Sequence, residues 1–355
     1  MKVSHDALAG TAIIGLLVVA GVWYAQDPEC QQWPLSSFSA GTKKSDAAMS
    51  RVTVNEIAWS ADGKRLLARF RCENDNEPRL VLFGVAQPGS RFEFDLIGEP
   101  LSCATLAPDV PRVLVASWKR VRWLNADDTE AATPPDNFPF RECFTATAIA
   151  SDGRLIAAGT DTGRICLCDP VSGRHMSWQA PERSSFRGLR FARDGKRLLS
   201  AQNCGQIILW EVATGVILQE FAGHQHQPSA AEFLGDGNRI ISCGLDDTVR
   251  IWDTENGREV WRGEFGMYGV LSLAVSADGK TAAWGGYNHK LVVWDLDRHK
   301  KKREIVVPAT CIHTLHFSPD GMTLAAAGRD ESIRLYDMGT GAETGRIEVA
   351  GPERL

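Results

Sequence analysis

One short stretch, from Ala222 to Asp253, carries side chains that perform nucleophilic chemistry in hydrolases. His224, Ser242 and Asp246 are the residue types of a Ser-His-Asp set, in which an imidazole accepts the serine proton and a carboxylate orients the imidazole. Such an enzyme also needs an oxyanion hole, and Ser242 does not lie in a Gly-x-Ser-x-Gly elbow that would help to build one. Whether the three residues act chemically or only hold the chain therefore depends on the fold.

The histidines and cysteines do not form a pattern typical of a metal or cofactor site. His313 and His316 lie three residues apart, and on a strand the side chains of two such residues point to opposite faces of the sheet. The nine cysteines have unrelated spacings, and Cys166-x-Cys168 is not a redox Cys-x-x-Cys. We expect no metal ligands and no cofactor, and we interpret the cysteines as small apolar core residues.

The formal net charge of −5 gives no general basic field of the kind that binds nucleic acid. One basic run, RHKKKR, follows Trp294-Asp295, in a connection that we predict to be a solvated loop. A second interpretation is a contact with an acidic partner or with anionic lipid, formed by Arg298, Lys300, Lys301, Lys302 and Arg303.

The same unit recurs along most of the chain. Seven aspartates mark a turn at intervals of 47, 43, 42, 42, 42 and 42 residues, and all but the second are followed by glycine: Asp62, Asp109, Asp152, Asp194, Asp236, Asp278 and Asp320. A second feature keeps the 42-residue step, at Cys168, Trp210, Trp252, Trp294 and Tyr336. Two features with one period indicate a repeat architecture of seven units over residues 51–351.

Each unit is built from short apolar segments separated by turn residues, which predicts antiparallel strands. In the fifth unit these segments are Ala230 to Leu234, Arg239 to Cys243 and Val249 to Trp252. Asp-Gly suits a tight hairpin because glycine adopts positive φ at little cost. A lone sheet with two apolar faces cannot bury both, so we expect the units to stack and close into a ring.

The Gly223-His224 start, the Trp252-Asp253 end and the length between them resemble a WD40 repeat. The resemblance covers about 300 residues and implies an all-β, seven-bladed propeller of four-stranded antiparallel blades. It also implies a structural hydrogen-bonded tetrad of His224, Ser242, Asp246 and Trp252. The other units lack the full set, so we expect hydrophobic burial to provide most of the stability of the ring. Gly345 to Val349 can complete the last blade, or a strand from residues 33–54 can be added to it.

The resemblance favours a scaffold for protein partners, or a subunit of an assembly, over an enzyme. Propellers bind through the loops that enter the first strand and join the second to the third. Here those loops bring together the candidate contact residues His226, Met267, Tyr268, Tyr287 and His289. The alternative is a ligand-sensing or enzymatic propeller that uses its central channel, although no small-molecule substrate is expected from the motifs.

A polar tail of residues 1–6 precedes Ala7 to Ala25, which has 19 residues without a charge. A helix of this length spans about 28 Å, close to the hydrocarbon thickness of a bilayer. We predict a single-pass membrane anchor, with a cleaved signal peptide as the alternative. Lys2 and the terminal amine favour an extracytoplasmic propeller, whereas the many unpaired cysteines favour the other side.

Residues 26–50 contain Pro28 and Pro34 and show no periodic pattern, which is typical of a flexible tether. The predicted organisation is therefore a tail, a span over residues 7–25, a tether, a propeller over residues 51–351 and a short C-terminal tail of residues 352–355.

Overall fold

The computed structural model describes residues 52–72, 78–86, 90–94, 96, 101–108, 112–117, 121–125, 142–266, 268–308 and 311–349. These residues form 27 strands. The first seven are β1 Val52–Trp59, β2 Arg65–Cys72, β3 Pro78–Gly84, β4 Arg91–Glu93, β5 Leu101–Leu106, β6 Arg112–Ser117 and β7 Val121–Asn125. The next eight are β8 Phe144–Ile149, β9 Ile156–Thr160, β10 Arg164–Cys168, β11 His175–Gln179, β12 Phe186–Phe191, β13 Arg197–Gln202, β14 Ile207–Glu211 and β15 Ile217–Phe221.

The remaining strands follow the same order. They are β16 Pro228–Leu234, β17 Arg239–Gly244, β18 Thr248–Asp253, β19 Glu259–Glu264, β20 Val270–Val275, β21 Thr281–Gly286, β22 Lys290–Asp295, β23 Lys300–Val306, β24 Ile312–Phe317, β25 Thr323–Gly328, β26 Ser332–Asp337 and β27 Glu343–Glu348. The three strands predicted for the fifth unit correspond to β16, β17 and β18.

Consecutive strands pair into antiparallel sheets, which we call blades 1 to 7 in chain order. Blade 1 is β1–β4, blade 2 contains β5–β7 among the described residues, and blades 3 to 7 take four strands each from β8 onward. The Asp-Gly turns join the first strand of a blade to the second, and their glycines have φ between +65° and +77°. Glycine is used there because side chains disfavour this left-handed region.

The blades are arranged in a closed ring. The first strand of each blade contacts the first strands of both neighbours, in the order β1, β5, β8, β12, β16, β20, β24 and back to β1. The ring therefore has two ends. The hairpin end carries the Asp-Gly turns, and the opposite end, which we call the rim, carries the connections that lead into the first strands and those between second and third strands. The seven-bladed propeller of four-stranded antiparallel blades is confirmed.

Apolar packing between blade 1 and blade 7 closes the ring. Val52 and Ile57 of β1 share one buried cluster with Ala325, Ile333 and Ile347 of the last blade. Across the same junction the Trp59 indole donates a hydrogen bond to the backbone oxygen of His316, at 3.1 Å. Blade 7 is completed at its outer edge by its own strand β27, which pairs with β26. Most of the alternative segment, residues 33–51, lies outside the described residues.

Where the third strand ends in an aromatic residue, that side chain fills the gap between neighbouring blades. Trp210 packs beside Trp178 of the preceding blade with ring centroids 6.0 Å apart, and Trp252 packs beside Phe221 at 5.9 Å. Both Trp210 and Trp252 are 1 % exposed. Each aromatic side chain thus buries the outer strand of one blade against the third strand of the next.

The basic run was predicted to be a solvated loop, but it does not form a loop throughout, because Lys300 to Arg303 begin β23, the outer strand of blade 6. A strand fits this charged sequence because an outer strand has solvent along its free edge, where lysine prevents association with other edges.

The predicted anchor and tether lie outside the described residues, and among those described no helix is long and apolar enough to cross a bilayer.

The contact between blades 5 and 6 at the hairpin end can be tested with two glycines. Gly279 and Gly195 occupy equivalent turns with φ of +71° and +65°. A Cβ at residue 279 would lie 2.6 Å from the backbone of Gly235, whereas a Cβ at residue 195 would meet nothing within 4 Å. Both alanine variants incur the left-handed cost of about 1–2 kcal/mol. We expect Gly279→Ala to lower the free energy of unfolding by at least about 1 kcal/mol more, measured by urea denaturation. Equal losses would show that the blades do not touch there.

Candidate functional site

The four residues of the predicted tetrad lie in one hydrogen-bonded chain across blade 5. His224 Nδ1 lies 3.0 Å from both carboxylate oxygens of Asp246, and its Nε2 lies 2.8 Å from Ser242 Oγ. Because an ionised carboxylate only accepts, Nδ1–H donates to Asp246 and Nε2 accepts the serine proton. The Trp252 indole then donates to Ser242 Oγ at 2.8 Å. The chain therefore connects the loop before the first strand to the second strand, to the turn after it and to the third strand of the blade.

Asp246 is the most heavily bonded member. It also accepts from the Gln225 amide at 3.0 Å, from the Thr248 hydroxyl at 2.8 Å and from Arg250 Nη2 at 3.1 Å. Arg250 is itself buried, and its Nη1 donates to Glu259 at 2.9 Å. Burial by itself raises the pKa of Asp246, but the hydrogen bonds from His224 and Gln225 outweigh it and hold the pKa below the ordinary value. The carboxylate is thus kept ionised inside the blade.

The order Asp, His, Ser and the atoms that connect them are those of a hydrolase triad, but access is missing. Ser242 is 0 % exposed, and the side chains of His224 and Asp246 are 1 % and 4 % exposed. The serine oxygen already accepts the indole N–H of Trp252, so a substrate carbonyl has no path to it. A nucleophile must reach its substrate to act. The arrangement locks the turns of blade 5 and does not favour hydrolysis.

Other blades solve the same packing problem differently. In blade 4 the Trp210 indole donates to Ser200 at 2.9 Å, but Cys204 stands where the aspartate would be. In blade 6 the serine position is taken by Trp284, which joins an aromatic cluster with Trp261, Phe265 and Trp294. Ring centroids in this cluster are 4.7–6.4 Å apart. Dispersion and burial replace the polar network there.

Blade 7 keeps the part of the network around the aspartate, where Ser332 Oγ donates to Asp330 at 3.1 Å. Arg334 Nη2 lies 2.8 Å from Asp330, and its Nη1 lies 3.2 Å from Glu343. The Tyr336 hydroxyl is buried with no hydrogen-bond partner among the described residues, and burial raises its pKa to about 12. Ala326 occupies the serine position, so the group that would accept from this ring is absent.

The candidate contact residues lie on the rim of blades 5 and 6. Tyr268 is 69 % exposed and has φ of +53°, and His289 has φ of +60°. His226 is exposed, whereas Tyr287 and His289 are half-buried. The Gly269 amide donates to Asp247, which ties the Tyr268 loop to the neighbouring turn of blade 5. Met267 lies outside the described residues.

Several charges of the basic run are compensated within blade 6. Lys301 lies 2.8 Å from Glu304, Lys302 lies 3.9 Å from Asp295, and Arg298 lies 3.4 Å from the same aspartate. Arg303 donates to the backbone oxygen of Gly339 at 2.7 Å and so joins blade 6 to blade 7. Lys300 is exposed at the start of β23. The run therefore offers fewer available charges than its sequence suggests.

A further group of polar side chains lies along the central channel, and of these the sequence motifs had drawn attention only to His316, as a metal ligand. Arg190, Glu232 and His316 belong to the first strands of blades 4, 5 and 7, and Glu56 belongs to the first strand of blade 1. Arg190, Glu232 and His316 stand four residues before the turn aspartates Asp194, Asp236 and Asp320. This shared register is a signal that could have identified them, because equal positions in successive units meet around the axis.

A family model described as "WD domain, G-beta repeat" matches residues 215–253 and 301–337. Each match begins in or just before the outer strand of one blade and ends with the third strand of the next, over β15–β18 and β23–β26. No curated protein matches the chain. The two matches cover units with the 42-residue step, and the same blade architecture recurs in the remaining sheets.

The contribution of the tetrad can be measured by removing its central imidazole. His224→Ala leaves Ser242 and Asp246 without their shared partner, so we expect the free energy of unfolding to fall by about 1–3 kcal/mol. The control is His175→Ala, because His175 is exposed on β11 and should change stability by less than about 0.5 kcal/mol. Urea denaturation of both variants gives the comparison. Equal effects, or a lost partner interaction at unchanged stability, would contradict a structural role.

The lowered pKa of Asp246 also predicts an acid dependence. The ionised carboxylate stabilises the fold fully above its unfolded pKa, near the ordinary value of 3.8, and this contribution is lost as pH falls toward the lower folded pKa. Below pH 4 the free energy of unfolding should fall more steeply in the native chain than in Asp246→Asn, by at most about 1.4 kcal/mol per pH unit. Parallel pH profiles from urea denaturation would show that Asp246 is not held ionised by the fold.

Proposed function

We propose that this chain, which belongs to the WD40-repeat β-propeller family, acts as a membrane-tethered scaffold that binds a protein partner through the rim of blades 5 and 6. The fold alone does not assign a function, so the proposal depends on the surface. Propellers of this family commonly serve as interaction scaffolds, and the only Ser-His-Asp set among the described residues is closed to substrate.

The exposed aromatic ring at residue 268 carries the proposal. Tyrosine is enriched in contact surfaces because it offers a large, rigid, amphipathic side chain with little rotamer entropy to lose. A tyrosine with positive φ is uncommon, since the left-handed region disfavours a Cβ. The Gly269–Asp247 hydrogen bond holds the adjoining backbone, so Tyr268 is presented to solvent on a fixed loop. His226 and His289 lie in neighbouring connections of the same rim and add polar groups to it.

The tether part of the proposal rests on the apolar segment Ala7 to Ala25 and on where the chain joins the ring. Strand β1 begins at Val52 on the rim end, because all first strands start there. A flexible tether of about 25 residues has a root-mean-square length of roughly 25–30 Å. A tether of this length favours a partner in the same membrane or next to it.

The basic run lies on the hairpin end of the ring and is not the membrane anchor in this proposal. Its side chains Arg298, Lys300, Lys301 and Lys302 lie away from the end at which β1 begins. Because three of them have acidic partners within the blade, we assign them no part in membrane retention.

The test is affinity capture of the tagged full-length protein from its native membrane, followed by mass spectrometry. The native chain should retain a stoichiometric partner in high salt, and the double variant Tyr268→Ala/His226→Ala should retain at least about tenfold less. The matched control is Val171→Ala, because Val171 is 89 % exposed on the opposite end of the ring. A chain with residues 298–303 neutralised should stay in the membrane fraction after a high-salt wash.

Two results would contradict the proposal. If the rim variant captures as much partner as the native chain, or if nothing co-purifies, the rim is not the binding surface. If high salt releases the native chain, or if the neutralised chain leaves the membrane, residues 7–25 are not the anchor.

A further inference from the structure

One register position places seven residues around the hairpin end of the central channel. We call this set the channel belt, and its members lie near the end of each first strand: Ala58, Thr105, Ala148, Arg190, Glu232, Ala274 and His316. Four members are alanine or threonine, and the three long polar members lie in blades 4, 5 and 7. The Arg190 side chain is 49 % exposed and His316 is exposed, so water reaches this part of the channel.

Arg190 and Glu232 form an ion pair across neighbouring blades. Arg190 Nε lies 2.6 Å from Glu232 Oε1, and Arg190 Nη1 donates to its neighbour's backbone oxygen, that of Leu189, at 2.9 Å. Among the described residues nothing accepts from Nη2, and the side chain is 49 % exposed, so part of the guanidinium is open to the channel. On the first strand of blade 1, Glu56 is paired with Arg69 at 3.0 Å. The two arginines and two glutamates have no net charge together.

His316 presents a basic nitrogen to this space. Its Nδ1 lies 3.0 Å from the backbone oxygen of Phe317, and because a carbonyl only accepts, Nδ1 carries the proton. The Trp59 indole fixes the same residue through its backbone oxygen. Although His316 reaches water, desolvation by the surrounding channel residues and the Arg190 charge lower its pKa below the ordinary value of 6.5, so the ring is neutral at pH 7. Its Nε2 then carries a lone pair, and no described residue donates to it.

The belt therefore offers a cationic donor on blade 4, a carboxylate on blade 5 and a neutral acceptor on blade 7, with small residues in the other four blades. A site with a few placed polar groups and room beside them is the pattern of a small-molecule pocket. A fully ionised inorganic anion would accept from Arg190 but would offer no donor to Glu232 or to His316 Nε2. Among the described residues no three side chains of the metal-binding types come together, so a metal ion is not favoured.

We propose that the channel belt binds a free α-amino acid in its zwitterionic form. Its carboxylate accepts from Arg190 Nη2, and its ammonium group donates to His316 Nε2 and Glu232. A net-neutral ligand with separated charges fits a net-neutral channel whose own charges are separated around the axis. This site lies at the opposite end of the ring from the rim, and it gives the propeller a ligand-sensing role that is independent of partner binding.

The probe is each standard L-amino acid in turn, titrated calorimetrically into the full-length protein in detergent. At least one should bind with Kd below about 1 mM. Its amidated derivative, which lacks the carboxylate, should bind at least about tenfold more weakly. Glucose, which has no net charge and no charged groups, should also bind at least about tenfold more weakly. No binding, or equal binding of the amide or of glucose, overturns the proposal.

Two variants test the residues. Arg190→Met/Glu232→Gln removes both members of the pair, so no charge is left alone, and His316→Phe keeps a ring without the Nε2 acceptor. Each should weaken binding at least about tenfold at an unchanged unfolding midpoint. The matched controls are Arg193→Met and His175→Phe, both at exposed positions outside the channel, and these should bind as the native chain does. Native affinity in both channel variants assigns the ligand to another site and overturns the proposal.

Discussion

The constraint on which the whole structure depends is that a four-stranded sheet with two apolar faces cannot remain alone in water. Each blade buries both faces only if it has a neighbour on each side, and a row of blades leaves two faces bare unless it closes. Here the last pair of faces meets where β1 packs on blade 7, in a cluster that joins Val52 and Ile57 to Ala325 and Ile347. This junction links residues nearly 300 positions apart, so closure is a long-range event that must follow the local hairpins.

The periodic features of the sequence predicted the fold because each reports a local geometric requirement. Asp-Gly marks a hairpin that needs a left-handed glycine, and the third-strand tryptophan marks a gap between blades, so the 42-residue step counts blades directly. The packing inside each blade is less evident from the sequence. His224 revealed the polar network of blade 5, but Trp284 looks like any core residue until the structure places it among three other aromatic rings. Packing partners from the adjacent blade are not encoded within one repeat.

Two misjudged features share a physical cause. The charges of Arg298 to Arg303 suggested a loop, yet β23 tolerates them because an outer strand has one free edge and exposed side chains. Arg190 and Glu232 have ordinary strand residues as neighbours in sequence, and His316 suggested only a metal pair with His313, so the motifs did not place them together around the channel. In both cases residue type was considered before position. In a ring of repeats, the phase within the unit decides whether a charged side chain meets solvent, a neighbouring blade or the channel.

The contrast between blade 5 and the channel shows what access contributes. His224 has the bonding of a triad histidine, with a carboxylate on one nitrogen and a serine on the other, but both nitrogens are used inside the protein. His316 uses only Nδ1, and its Nε2 has no described donor. The first histidine lowers the free energy of the folded blade because all its bonds are internal. The second leaves one bond to be made by something else. A ring held by burial at every blade interface can keep such an unfilled polar site along its axis, since none of the interfaces depends on it.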